Sequence, residues 1–162
     1  MNKQEIIDEI KKTKEHLANM EKMLKECNGR WKPELNEEYY YVNQVSVTSR
    51  DVNGEFDIDV ARYRAYNCFK TKGQAELEAE KILVRRQLED IARRLNKGQE
   101  INWNDDNQLK YCIGFDFPFN IISIGALYRK LQGSVYCLSD EFKDVAIQEI
   151  GEERLKKYFK GE

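Results

Sequence analysis

A chain of 162 residues is long enough to bury one core and too short for two ordinary, separately stable domains. Its 41% hydrophobic and 35% charged residues, with two prolines and nine glycines, exclude global disorder and fit a folded protein with many solvated helix faces. A net charge of -2 exerts no overall pull on nucleic acid or an anionic membrane, so either would have to be held by a local patch.

From the N-terminus, Ile6, Ile10, Thr13, Leu17, Met20, Leu24 and Cys27 recur in alternating steps of four and three. That is a heptad seam, narrower than the face a helix turns toward a globular core, and it predicts a coiled-coil-like helix over residues 1–28. A helix of this length is marginal alone, so the seam needs a partner. The partner is either another helix of this chain or, as expected here, a second copy, with Ile6, Ile10, Leu17, Met20 and Leu24 as the dimer contacts. Asn28-Gly29 supplies the stop.

Residues 29–162 are expected to form an α+β domain. Trp31-Lys32-Pro33 leads into Tyr39, Tyr40, Tyr41, Val42, Val45 and Val47, whose aromatic and β-branched content reads as strand. Asn53-Gly54 is the strongest short turn signal, and it predicts a hairpin that folds Tyr39–Ser49 back on Glu55–Phe69. Thr71-Lys72-Gly73-Gln74 reads as a capping box opening a helix that runs to about Asn96-Lys97-Gly98. Its acids (Glu76, Glu78, Glu80) lie early and its bases late, as the helix dipole favours.

The same order then recurs. Trp103 precedes Tyr111 by as many residues as Trp31 precedes Tyr39, and Val135-Tyr136-Cys137-Leu138-Ser139 enters a helix as Asn67-Cys68-Phe69-Lys70-Thr71 does. The pattern predicts two diverged β-hairpin–helix units, 29–98 and 99–162, packed as one domain because neither buries its apolar face alone. Gly151 is expected to end the third helix, and Glu152–Phe159 to form a short last one with Leu155, Tyr158 and Phe159 turned inward.

Chemistry is sparse. The single histidine, His16, stands beside the heptad seam among Lys and Glu, which removes the usual base of triad chemistry. Cys27, Cys68, Cys112 and Cys137 are far apart, without the paired spacing of a metal site, and read as small apolar residues of a reducing compartment. No strand-to-helix junction carries a phosphate-cradling glycine loop. Asp57/Asp59 and Asp105-Asp106 are the only acid clusters worth weighing for metal-assisted hydrolysis, and a solvated loop or strand face is the better reading of both. The expectation is therefore no enzyme, no cofactor and no metal. No apolar run reaches the roughly 20 residues of a membrane span, and the first residues lack an apolar signal core; a bacterial host cytoplasm is the expected location, with no membrane partner.

Two surfaces remain as partner-binding candidates. Lys81, Arg85, Arg86, Arg93, Arg94 and Lys97 make the helix 81–97 locally basic, so a nucleic-acid backbone is the alternative partner. Glu89 and Asp90 are spaced to neutralise part of that row within the helix. Tyr39-Tyr40-Tyr41 must send rings to both sheet faces, so at least one, with Tyr40 the candidate, is expected off the helix-covered face as an anchor for a protein or a stacking platform for bases, while most fill a two-sided core.

Trp31-x-Pro33, Glu37-Glu38-Tyr39-Tyr40-Tyr41, Asn67-x-Phe69-Lys70-Thr71 and Ala75-Glu76 together resemble small accessory proteins of phages and prophages of Gram-positive bacteria. The resemblance spans most of the chain after Gly29. It implies that genomic setting, in which proteins of this size include inhibitors of host defence, anti-CRISPR proteins among them, that bind a defence protein such as a Cas nuclease stoichiometrically. It attaches no functional residue to these motifs.

Overall fold

A computed structural model describes residues 3–162, apart from the side chains of Lys3, Glu5, Ala18 and residues 21–28. Helix α1 (Lys3–Asn28) covers the heptad segment, with no proline or glycine to break it. Thr13, the polar member of the seam, returns its hydroxyl to the helix's own backbone by donating to the Glu9 carbonyl at 2.8 Å. The seam positions Leu24 and Cys27 lie outside the described side chains.

Strands β1 (Glu38–Val42) and β2 (Thr48–Val52) form a two-stranded sheet, but their turn is not the one the local signal marks. The chain reverses at Asn43–Val47, where Asn43 Oδ1 accepts the Val45 and Val47 N–H groups at 3.1 and 3.0 Å and Ser46 takes a φ of 60°. Asn53 is instead buried. Its side-chain nitrogen donates to the Pro33 carbonyl at 2.8 Å, and its backbone pairs with Asn36 and Glu37, just past the end of β2. Glu55–Phe69 is accordingly not a strand: helix α2 (Asp57–Arg64) occupies most of it. Only Phe69 pairs with the sheet, exchanging both backbone hydrogen bonds with Tyr40.

Helix α3 (Lys72–Asn96) begins one residue after Thr71 and ends where Lys97 and Gly98 turn to positive φ. Its first turn holds no acid, so Glu76, Glu78 and Glu80 stand too far along to meet the dipole, whereas Arg93 and Arg94 do occupy the last turn. Strands β3 (Tyr111–Asp116), β4 (Ile121–Ala126) and β5 (Tyr136–Cys137) form an antiparallel sheet in the order β4-β3-β5, with Tyr111 opposite both Ala126 and Cys137. Helices α4 (Phe142–Ile150) and α5 (Glu152–Lys160) follow, divided by Gly151 at a φ of 95°.

The molecule is thus α+β, and it divides into two compact units: Met1–Tyr41 with Arg50–Thr71, and Val42–Ser49 with Lys72–Glu162. This division differs from the expected one at residue 98, because α3 spends its apolar face in the second unit. There Val84, Leu88 and Ile91 join Ile113, Ile122, Cys137, Phe142, Ile150 and Leu155 in one core. β1 and β3 nevertheless share a placement: each pairs with its hairpin partner and also with the segment that precedes the next helix, β1 through the single Tyr40–Phe69 bridge and β3 through β5.

Candidate functional site

In α1 the apolar stripe is open. Ile6, Ile10, Leu17 and Met20 expose between 42% and 54% of their surface, and Ile7 widens the stripe. Together with Glu9, Thr13 and Lys14, three of them line a shallow apolar furrow along one helix face. His16 is exposed on the same helix.

Half of the basic row is matched by acids. Arg85 binds Glu89 at 2.9 Å, Arg93 binds Asp90 at 3.2 Å, and Arg94 binds Asp90 at 3.1 Å and Glu149 at 2.6 Å. Arg86 donates to the Ser46 hydroxyl at 2.7 Å. Lys81 and Lys97 complete the set without acidic partners among the described residues. The structure therefore brings five of the six candidates onto α3, with Lys97 just past its end, and pairs three of them with acids. Tyr40 is half-buried and tied to Phe69 through its backbone, whereas Tyr39 is fully buried and Tyr41 half-buried.

A tight polar cluster lies in the first unit. Asp59, in the first turn of α2 and not on a strand, is buried; it accepts the Tyr39 hydroxyl at 2.7 Å and the Gly54 and Phe56 N–H groups, both at 3.1 Å. Arg62 donates to the Tyr39 oxygen at 2.7 Å and to Asp51 at 2.6 Å, and its guanidinium lies 3.7 Å from the centre of the Tyr41 ring. Burial and the hydrogen bond to Asp59 push the Tyr39 hydroxyl well above the ordinary tyrosine range, while the hydrogen bond from Arg62 draws Asp51 below the ordinary carboxylate range. These carboxylates are thus engaged in structural hydrogen bonds. Nearby, Arg30 sits between the rings of Tyr63 and Tyr66 at 3.7 and 4.1 Å, its Nε and Nη2 buried without a hydrogen-bond partner among the described residues.

Among the described residues no group of three or more His, Cys, Asp or Glu is placed to hold a metal ion. Asp105 spends its carboxylate on the Asn107 N–H at 2.9 Å. Cys68, Cys112 and Cys137 are free thiols whose pKa values burial pushes up, which keeps them protonated and poorly nucleophilic. None of the described helices is long and apolar enough to cross a membrane.

A second concavity was not legible from motifs. It is an open groove of about 440 Å³ in the second unit, at the C-terminal end of α3, where Ala92, Arg93 and Asn96 face Ile101, Trp103, Lys130 and Tyr136. The only sequence signal is the Asn/Asp/Gln-rich stretch around Trp103, whose side chains turn back on their own backbone. Comparison of the chain with protein-family models, curated proteins and solved structures finds no match.

Proposed function

We propose that the chain is a binding protein of phage or mobile-element origin that acts by stoichiometric contact. It forms a dimer through α1 and docks on a bacterial defence protein, such as a CRISPR-Cas nuclease, to block it. The observation that carries the reading is the open heptad stripe of α1. Completing the burial of a large apolar side chain contributes up to about 1.5–3 kcal/mol. Four or five such residues on each of two helices outweigh what an isolated helix lacks. The tip of the β3–β4 hairpin supplies a second contact surface, since Phe117 and Phe119 are 67% and 73% exposed. Exposed aromatics of this kind are anchors in protein interfaces. The choice of a defence protein as target rests on the resemblance carried by Trp31, Pro33, Tyr39–Tyr41 and Phe69–Thr71.

Sedimentation of the parent and of Leu17→Asp tests the dimer: the parent is expected at twice the chain mass and the variant at the chain mass. An unchanged mass for the variant overturns the seam. Nuclease cleavage with and without equimolar protein tests the target, and full activity across a panel of Cas effectors removes that part of the proposal.

A further inference from the structure

The loop that carries Trp103 is braced from within. Gln108 accepts the Asn102 N–H at 2.7 Å and donates to the Glu100 carbonyl at 3.1 Å, while Asn102 Oδ1 accepts the Asn104 N–H at 3.0 Å. Beneath the loop, buried Lys110 donates to the Asp105 carbonyl and holds its ammonium 5.8 Å from the centre of the Trp103 ring. Tyr136 meets the same ring edge-on at 4.8 Å and 84°. An indole so fixed, yet lining open space, is a stacking platform whose ordering cost is already met.

The charged groups of the lining are two cations and one carboxylate, Lys130, Arg93 and Glu89. Lys130 has no acidic partner among the described residues, and Arg93 holds only Asp90 at 3.2 Å through a side chain that is 75% exposed. Asn96 gives its oxygen to the Leu138 N–H at 2.8 Å, which leaves its amide nitrogen as a donor. The one carboxylate of the lining, Glu89, is engaged by Arg85 at 2.9 Å. Cations and donors without a free acid receive an anion. They do not suit an aromatic amino acid, whose ammonium would find no counter-charge. The volume, about 440 Å³, lies in the range of roughly 300–1,000 Å³ typical of small-ligand sites.

From this placement we infer that the groove binds a nucleotide, its base stacked on Trp103 and its phosphate held by Lys130 and Arg93. The inference is independent of the dimer and of the defence target, and it differs from a duplex lying along α3 in needing Trp103 and not Arg85 or Arg86.

In a Trp31→Phe background Trp103 is the sole fluorophore of its kind. Adenosine monophosphate is expected to quench it saturably, with affinity at least about tenfold above that for adenosine or inorganic phosphate alone. Lys130→Glu is expected to weaken binding about fivefold or more, and added salt to weaken it further. Calorimetry on Trp103→Leu is expected to register no binding, with the unfolding midpoint of that variant reported beside it. Should Trp103→Leu fail to fold, the indole N–H resonance of Trp103 in the unaltered chain gives the same titration. A short oligonucleotide with a terminal phosphate distinguishes a free nucleotide from a strand end, according to which binds more tightly. No saturable change at about 10 mM nucleotide, equal affinity for adenosine, preference for phenylalanine, or indifference to Lys130→Glu would each overturn the inference.

Discussion

The hydroxyl of Tyr39 donates to Asp59 Oδ1 at 2.7 Å, joining the start of β1 to the first turn of α2 across twenty positions of sequence. Asp59 also closes the entry of α2 by accepting from Gly54 and Phe56. Removing the two partners therefore has unequal effects. Tyr39→Phe loses two hydrogen bonds, to Asp59 and from Arg62, but each partner keeps another, and about 1–2 kcal/mol is expected in urea unfolding. Asp59→Ala strands a buried hydroxyl and two backbone donors beside Arg62, and about 3 kcal/mol or more is expected. Equal losses would mean that Asp59 serves Tyr39 alone.

The same pair sets an alkaline limit. Burial, then the Asp59 hydrogen bond, raises the folded-state pKa of Tyr39. Above the unfolded tyrosine value of about 10 the folded chain thus retains a proton that the unfolded chain releases, and stability falls as pH rises. At the acidic end Asp51, held low first by its hydrogen bond from Arg62, contributes stability above the ordinary carboxylate pKa and loses it as pH falls through its folded value. Denaturation midpoints measured across pH should therefore drop at both ends, with Tyr39→Phe flattening the alkaline limb and Asp51→Asn the acidic one.

Burial pushes up the thiols of Cys68, Cys112 and Cys137. In a Cys27→Ser variant, iodoacetamide at pH 8 is expected to label these three more than about tenfold more slowly in the folded protein than in urea. Rapid labelling of any one, read by mass spectrometry, would identify a thiol available for chemistry and contradict their structural reading.

How much of this was legible follows from where the determining interactions lie. Helices α1, α3 and α5 could be read because their apolar period and glycine stops are local, and Leu155 falls in the core as its spacing required. The hairpin was displaced because Asn53, a good turn residue in isolation, gains more by burying its amide against the Pro33 carbonyl at 2.8 Å, a contact twenty residues away. Asn43, which makes the actual turn, lacks a glycine beside it and carries a weaker signal. The groove was opaque for a related reason. Trp103, Lys130 and Asn96 come from three separated segments, and no spacing rule joins them. The basic row of α3 was read correctly as to position, but Glu149, which takes Arg94 at 2.6 Å, belongs to another helix and could not be counted.

Packing and charge can be compared directly in α5. Leu155 is fully buried in the core, whereas its neighbour Arg154 holds Glu80 and donates to Gln87 at 2.9 Å from a half-exposed position. Leu155→Ala is expected to cost about 2–5 kcal/mol and Arg154→Ala about 1 kcal/mol, because solvent screens the ion pair but cannot refill the cavity. Chemical denaturation of both variants ranks them. The reverse order would make the Arg154 contact the principal tie of α5 to α3.

Arg30 and Arg62 make a sharper contrast, since both stack on tyrosine rings at 3.7 Å yet differ in what their nitrogens find. Arg62 has Asp51 and the Tyr39 oxygen as acceptors, so its charge is compensated. Arg30 has the Tyr63 and Tyr66 rings, with Nε and Nη2 buried and unpartnered among the described residues. A buried donor without an acceptor forfeits about 1–3 kcal/mol, which the cation–π attraction of about 0.5–2 kcal/mol only offsets. Methionine at Arg30 keeps the apolar contact and removes the orphaned donors, so Arg30→Met is expected within about 1 kcal/mol of the parent, on the stable side if anything. Arg62→Met leaves Asp51 and Asp59 uncompensated and is expected to lose about 3 kcal/mol. Urea unfolding of the two variants side by side decides the matter: a large loss at Arg30 would mean that its guanidinium edge meets an acceptor in solution, and the reading of Arg30 as an aromatic-stacked cation would fall.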